Sequence, residues 1–99
     1  MRRVVIAPSF DREAEAIGLS IEEHFGAEAR RNFVAGLARI CTLIAHVPKI
    51  GKIRHGYNTN LSGFVFEQNW IFFDFDFADG DVHFLHIVNA KRDKRKLSF

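Results

Sequence analysis

Between Phe10 and Val47 the chain repeats one device twice. Phe10, Ala14, Ile17, Ile21 and Phe25 follow at spacings of four, three, four and four, and Phe33, Leu37, Ile40, Ile44 and Val47 form a second such series. Each series lies along one side of an α-helix. Gly26 stands between them, suited to a left-handed cap that ends the first helix, and Pro48 stops the second. With two or three residues left as a link, the helices must fold back on each other as an αα-hairpin. A buried Phe, Leu or Ile contributes about 1.5–3 kcal/mol, so two such stripes justify a shared core. Ser9 is the expected N-cap of the first helix. Gly18 and Ser20 weaken its middle, the glycine by about 1 kcal/mol.

Strand patterns flank the hairpin. "RRVVIA" (2–7) is a β-branched run closed by Pro8, a first strand. "PKIGKIRHGYNTN" (48–60) reads as a loop from its Pro, Gly and Asn content, with Ile50 and Ile53 pinning it to the core. Three more strands follow: "LSGFVF" (61–66), a turn at Glu67-Gln68-Asn69, "WIFFDFDF" (70–77), an Asp-Gly turn in "ADGD" (78–81), and "VHFLHIVNA" (82–90). Ile71, Phe73, Phe75 and Phe77 share one face of the middle strand; Trp70, Phe72, Asp74 and Asp76 share the other. The expected fold is α+β, in the order β-α-α-β-β-β, with the hairpin packed on one face of a mostly antiparallel four-stranded sheet. At 99 residues the chain is one domain, 1–99. If the hairpin covers the Phe73 face, Trp70 and Phe72, joined by Phe84 from the last strand, form an apolar patch opposite, of the kind that marks a partner site. The alternative is a sheet curled enough to bury them.

Charge is segregated along the chain. The net charge is +2. Residues 61–90 carry Glu67, Asp74, Asp76, Asp79 and Asp81 with no Lys or Arg, whereas 91–96 hold Lys91, Arg92, Lys94, Arg95 and Lys96 against Asp93. Such separation suits a charged partner. The tail and the Lys49, Lys52, Arg54 cluster could engage phosphates or acidic segments; each alone is a solvated tail or loop, and their place beside the sheet makes them candidates. The single Cys41 excludes an internal disulfide and is expected as a buried structural thiol. The five His show no recognised ligand spacing, even in "DVHFLH" (81–86), so no metal is expected. No Ser stands in a strained nucleophile turn and no Gly-rich loop could cradle a phosphate, so no cofactor is expected either. No run approaches a membrane span, and the first apolar stretch is too short for a signal sequence; a cytoplasmic protein is expected.

Taken in order, these segments resemble the toxins of the ParE/RelE superfamily, the toxic half of bacterial type II toxin–antitoxin modules. The resemblance covers nearly the whole chain. Its carriers are the second helix ending in "HVPKIGKIR", the turn into "WIFF", and "VHFLHIVNAKRD". Pro48, Gly51 and Arg54 match the Pro-x-x-Gly then Arg of the ParE branch. "NAKRD" stands where that branch has a His-x-Arg-Arg-Asp-like element, with Asn89 in the His place and Lys91 in that of the first Arg.

The resemblance implies one of two activities. RelE-like members cut mRNA on the ribosome without a metal, using basic residues of the sheet and a terminal Tyr or His for charge stabilisation and proton transfer. ParE-like members bind and poison DNA gyrase. Against the nuclease pattern the second-strand basic places fall near Leu61 and Gly63, the third-strand Arg place at Trp70 and the terminal place at Ser98 or Phe99; the last-strand Arg alone is kept, as Arg92. The resemblance therefore implies a binding protein with no catalytic residue, a gyrase inhibitor neutralised by, and oligomerising through, an antitoxin of the ParD or a similar type. The implied contacts with target or antitoxin are Lys49, Lys52, Arg54, Trp70, Phe72, Phe84, Arg92, Lys94, Arg95 and Lys96. A ribosome-dependent mRNA endonuclease is the alternative activity, and a superfamily member without toxicity a third.

Overall fold

The computed structural model describes residues 3–50, 52–54, 61–75 and 80–89. Along the chain run β1 (Val4–Ile6), α1 (Pro8–Phe25), α2 (Ala27–His46), a 3-10 turn (Pro48–Ile50), β2 (Lys52–Arg54), β3 (Leu61–Phe66), β4 (Asn69–Phe75) and β5 (Val82–Asn89). They form one sheet in the order β1-β5-β4-β3-β2. β1 runs parallel to β5, and the remaining pairs are antiparallel. The expected α+β arrangement stands, with one addition. The segment Lys52–Arg54, inside the stretch read as a loop, is a fifth strand at the sheet edge, paired with β3. A basic tripeptide has no apolar alternation to announce it; the ladder alone makes it a strand.

The hairpin is tighter than the sequence suggests, because Gly26 is the whole link. Its N–H donates to the Glu22 carbonyl at 2.9 Å, ending α1, and its own carbonyl accepts the Arg30 N–H at 3.3 Å, opening α2. The turn needs φ +98° at Gly26, a region that side chains with a Cβ disfavour. At the other end of α1, Ser9 is not the cap. The N-cap is Ala7, in extended conformation with no side-chain bond, and Pro8 opens the helix. Proline's fixed φ and missing N–H suit that first position, so Ser9 falls inside the helix and its hydroxyl is released for another partner.

Phe10, Ala14, Ile17 and Ile21 of α1 and Phe33, Leu37, Ile40 and Ile44 of α2 converge on Ile71, Phe73, Val82, Phe84 and Ile87 of the sheet. The last member of each stripe departs from expectation: Phe25 is 79% exposed at the hairpin tip, and Val47, just past α2, is 46% exposed. Both lie where the helices end, so helical phase without a facing strand leaves them in water. Ile50 packs against the core as expected.

One irregularity sets the two faces of the sheet. Phe72 lies opposite His86 and Phe73 opposite Phe84, so β5 carries Leu85 as an extra residue, a β-bulge. Ahead of it Val82 and Phe84 pack toward the helices; beyond it Ile87 does. Leu85 and Val88 join Leu61, Trp70 and Phe72 in a second cluster. Phe84 is accordingly corrected. It pairs with Phe73, and cross-strand partners share a face. It is fully buried in the helix-side core, 5.9 Å from the Phe73 ring and 5.7 Å from Phe10.

Candidate binding face

The sheet surface away from the hairpin follows from register. Gly63 pairs with Phe72 and Val65 with Trp70, while Trp70 pairs with Val88 and Asp74 with His83. The centre of this face is packed rather than open: Leu61, Phe72 and Val88 are 4%, 1% and 6% exposed. Trp70 is half-buried and stacks on Phe72, ring centroids 6.1 Å apart and planes 18° apart. Val65 beside it is exposed. The expected patch of Trp70, Phe72 and Phe84 is thus reduced. Burial prevails for Phe72, which stacks beside Trp70, and Phe84 belongs to the other face. Among the described residues, exposed Val65 and half-buried Trp70 and Leu85 are apolar groups this surface presents.

The basic candidates stand differently. Lys49 lies in the 3-10 turn, and the ladder sets Lys52 opposite Gly63 and Arg54 opposite Leu61; their side chains lie outside what the structure describes. Arg92, Lys94, Arg95 and Lys96 lie outside the described residues altogether, as does Ile53's side chain. Among the described residues of β3, β4 and β5 no Lys or Arg occurs. Leu61 and Gly63 of β3 are buried, and Trp70 of β4 is half-buried.

Polar groups gather at the margins. At the start of β5, Arg3 bonds the Asp81 carboxylate at 2.9 Å. That bond, with the Arg3 charge and a smaller contribution from His83, holds the Asp81 carboxyl below its ordinary range despite partial desolvation. Farther along, α1 reaches β5: the Ser9 hydroxyl donates to the Leu85 carbonyl at 2.7 Å, and Glu13 accepts the Ile87 N–H at 3.2 Å. Neither contact is legible from the helix pattern, because both residues carry the polar side of a helix edge. At the opposite end a cleft of about 690 Å³ opens between the hairpin tip and the β3–β4 turn, with Ile17, Ile21 and Phe33 below and Asn69 and Asn89 beside. There Asn89 donates to the Asn69 side-chain oxygen at 3.4 Å. Cys41 is half-buried, and burial pushes its thiol up to about 11, which suppresses the thiolate that nucleophilic chemistry needs. Among the described residues no three His, Cys, Asp or Glu side chains converge as a ligand set, and no helix is long and apolar enough to cross a membrane.

No family model and no curated protein sequence matches the chain. Among solved structures, a chain of the "Chromosomal ParDE TA system from P. aeruginosa" is similar at TM-score 0.75, over 90% of this chain and 96% of that one, with 14% sequence identity. The protein therefore has a ParE-like α+β fold, two helices folded back over one face of a mostly antiparallel sheet.

Proposed function

We propose that this protein is the toxin of a bacterial type II toxin–antitoxin module, that it acts by binding DNA gyrase rather than by cutting RNA, and that a ParD-like antitoxin neutralises it in the cytoplasm. The fold likeness to a ParDE chain supports the first part. The lack of Lys or Arg in the described β3, β4 and β5 carries the second: by the resemblance, the places where a nuclease of this superfamily needs cations fall near Leu61 and Gly63 and at Trp70. Neither a leucine nor a neutral indole can offset phosphate charge. Trp70 beside Phe72, with Val65 alongside, is instead an amphipathic anchor of the kind found at protein interfaces. The ladder positions of Lys52 and Arg54, together with Arg92, Lys94, Arg95 and Lys96, suit the acidic segments of an antitoxin or target.

Purified protein should inhibit supercoiling by gyrase at micromolar concentration, and Trp70→Ala should weaken that inhibition. An absence of inhibition combined with cleavage of mRNA in translating ribosomes would replace this reading with the nuclease one. An absence of both, with normal growth on expression without a partner, would remove toxicity altogether.

A further inference from the structure

We propose that Glu13 is a positioning residue: it locks β5 into its bulged register and thereby decides which β5 side chains the outer face offers to a partner. The second half rests on the reading of that face as a binding surface.

The backbone of β5 records its phase along the edge facing β1. Ahead of the bulge the groups on this edge belong to even-numbered residues: the Val82 N–H donates to the Arg3 carbonyl, and the Phe84 carbonyl accepts the Ala7 N–H, each at 2.9 Å. β1 then ends and α1 begins. Beyond the bulge the groups on the same edge belong to odd-numbered residues, the Leu85 carbonyl and the Ile87 N–H, and they meet Ser9 and Glu13. Ser9 and Glu13 are four residues apart, on successive turns of one helix face. Helix α1 thus takes over as the neighbour of β5 where strand β1 stops, and it does so only for the shifted phase.

Glu13 holds two groups at once. Oε1 accepts the Ile87 N–H at 3.2 Å, and the two carboxylate oxygens lie 3.1 and 3.2 Å from His86 Nδ1. An ionised carboxylate has the acceptor sites for both donors. A one-residue slip that erased the bulge would turn every later side chain to the opposite face. Ile87 would then replace Val88 in the outer row beside Trp70, and His86 would turn toward the helix-side core. The outer row as observed, with Val88 paired to Trp70, is the row that the Glu13 contacts select.

The test is residue-resolved amide hydrogen exchange on the full chain, with gyrase inhibition read in parallel. Glu13→Ala should speed exchange of the Ile87 amide by about tenfold or more, a local opening, while the amides of Leu37 and Ile44 in α2 keep their protection. Glu13→Gln, which still offers an oxygen to the Ile87 N–H, should restore most of that protection. If Glu13→Ala does not fold, Glu13→Asp keeps the charge, is one methylene short, and should loosen Ile87 in the same way. Unchanged Ile87 exchange overturns the proposal, as does an equal rise at every core amide, the mark of general destabilisation. Where the wild type inhibits gyrase, a loosened variant should inhibit about tenfold less; unaltered inhibition would overturn the link from register to partner. Where the wild type does not inhibit, the functional reading fails, and the exchange data alone decide the lock.

Discussion

Phe72→Ala separates a packed outer face from an open one. Phe72 is 1% exposed, stacks beside Trp70 and shares a cluster with Leu61 and Val88. Truncating a buried Phe to Ala removes about 3–5 kcal/mol. The lower end applies here, because the cluster is small and half-buried Trp70 can settle partway into the space. A loss of about 3 kcal/mol is a large share of the roughly 5–15 kcal/mol that stabilises an ordinary domain. At about 4–8 °C per kcal/mol for a domain near this size, the midpoint should fall by about 12–24 °C. Urea unfolding would measure it, followed by circular dichroism and by the fluorescence of the chain's only Trp, the ring stacked on the one removed. Trp70→Ala should destabilise less, and the double variant should lose less than the two single losses combined, by about 0.5–1.5 kcal/mol for the broken ring pair. A loss for Phe72→Ala below about 1 kcal/mol, in the range of surface substitutions, would refute the packing argument and restore an open aromatic patch.

Three further outcomes follow from particular contacts. Gly26→Ala should destabilise by about 1–2 kcal/mol in urea unfolding even though nothing lies within 4 Å of the added Cβ, because φ there is +98°. The Asp81 carboxyl is held below its ordinary value chiefly by Arg3, so its small stabilisation is present above the unfolded-state pKa and is lost as pH falls through the folded one; the stability difference from Asp81→Asn should shrink on acidification, and a difference constant with pH would contradict the pairing. With its thiol raised from 9.0 to about 11, Cys41 should be alkylated at pH 8 about a hundredfold more slowly in the folded chain than in urea, and equal rates would show that the thiol is open to solvent.

The helices were legible because period 3.6 leaves little choice: eight stripe residues, Phe10, Ala14, Ile17, Ile21, Phe33, Leu37, Ile40 and Ile44, all reach the core. Their ends were not, because periodicity says nothing about where the facing strands stop, and Phe25 and Val47 fit the pattern while lying exposed. The middle strand was equally clear, since Ile71, Phe73 and Phe75 alternate without interruption. The last strand misled through its phase. Its apolar doublets, Phe84-Leu85 and Ile87-Val88, are the written trace of the bulge; a simple period of two fits neither. Phe84 falls on the face opposite Trp70 because the bulge lies between it and Val88. The site was less legible than the fold, because burial of Phe72 depends on neighbours from three strands, and the polar contacts of Ser9 and Glu13 join residues more than seventy positions apart.

That first-to-last pairing orders the life of the nascent chain. Among the described residues β1 has its ladder partner in β5 alone, so β1 waits through the synthesis of everything between before it can dock. The hairpin can form on its own schedule, from contacts close in sequence, but the row containing Val88 does not exist until β5 has emerged and slotted between β1 and β4. A polypeptide interrupted before residue 82 would lack β5 and with it the row containing Val88, which makes assembly of that row a late, all-at-once event.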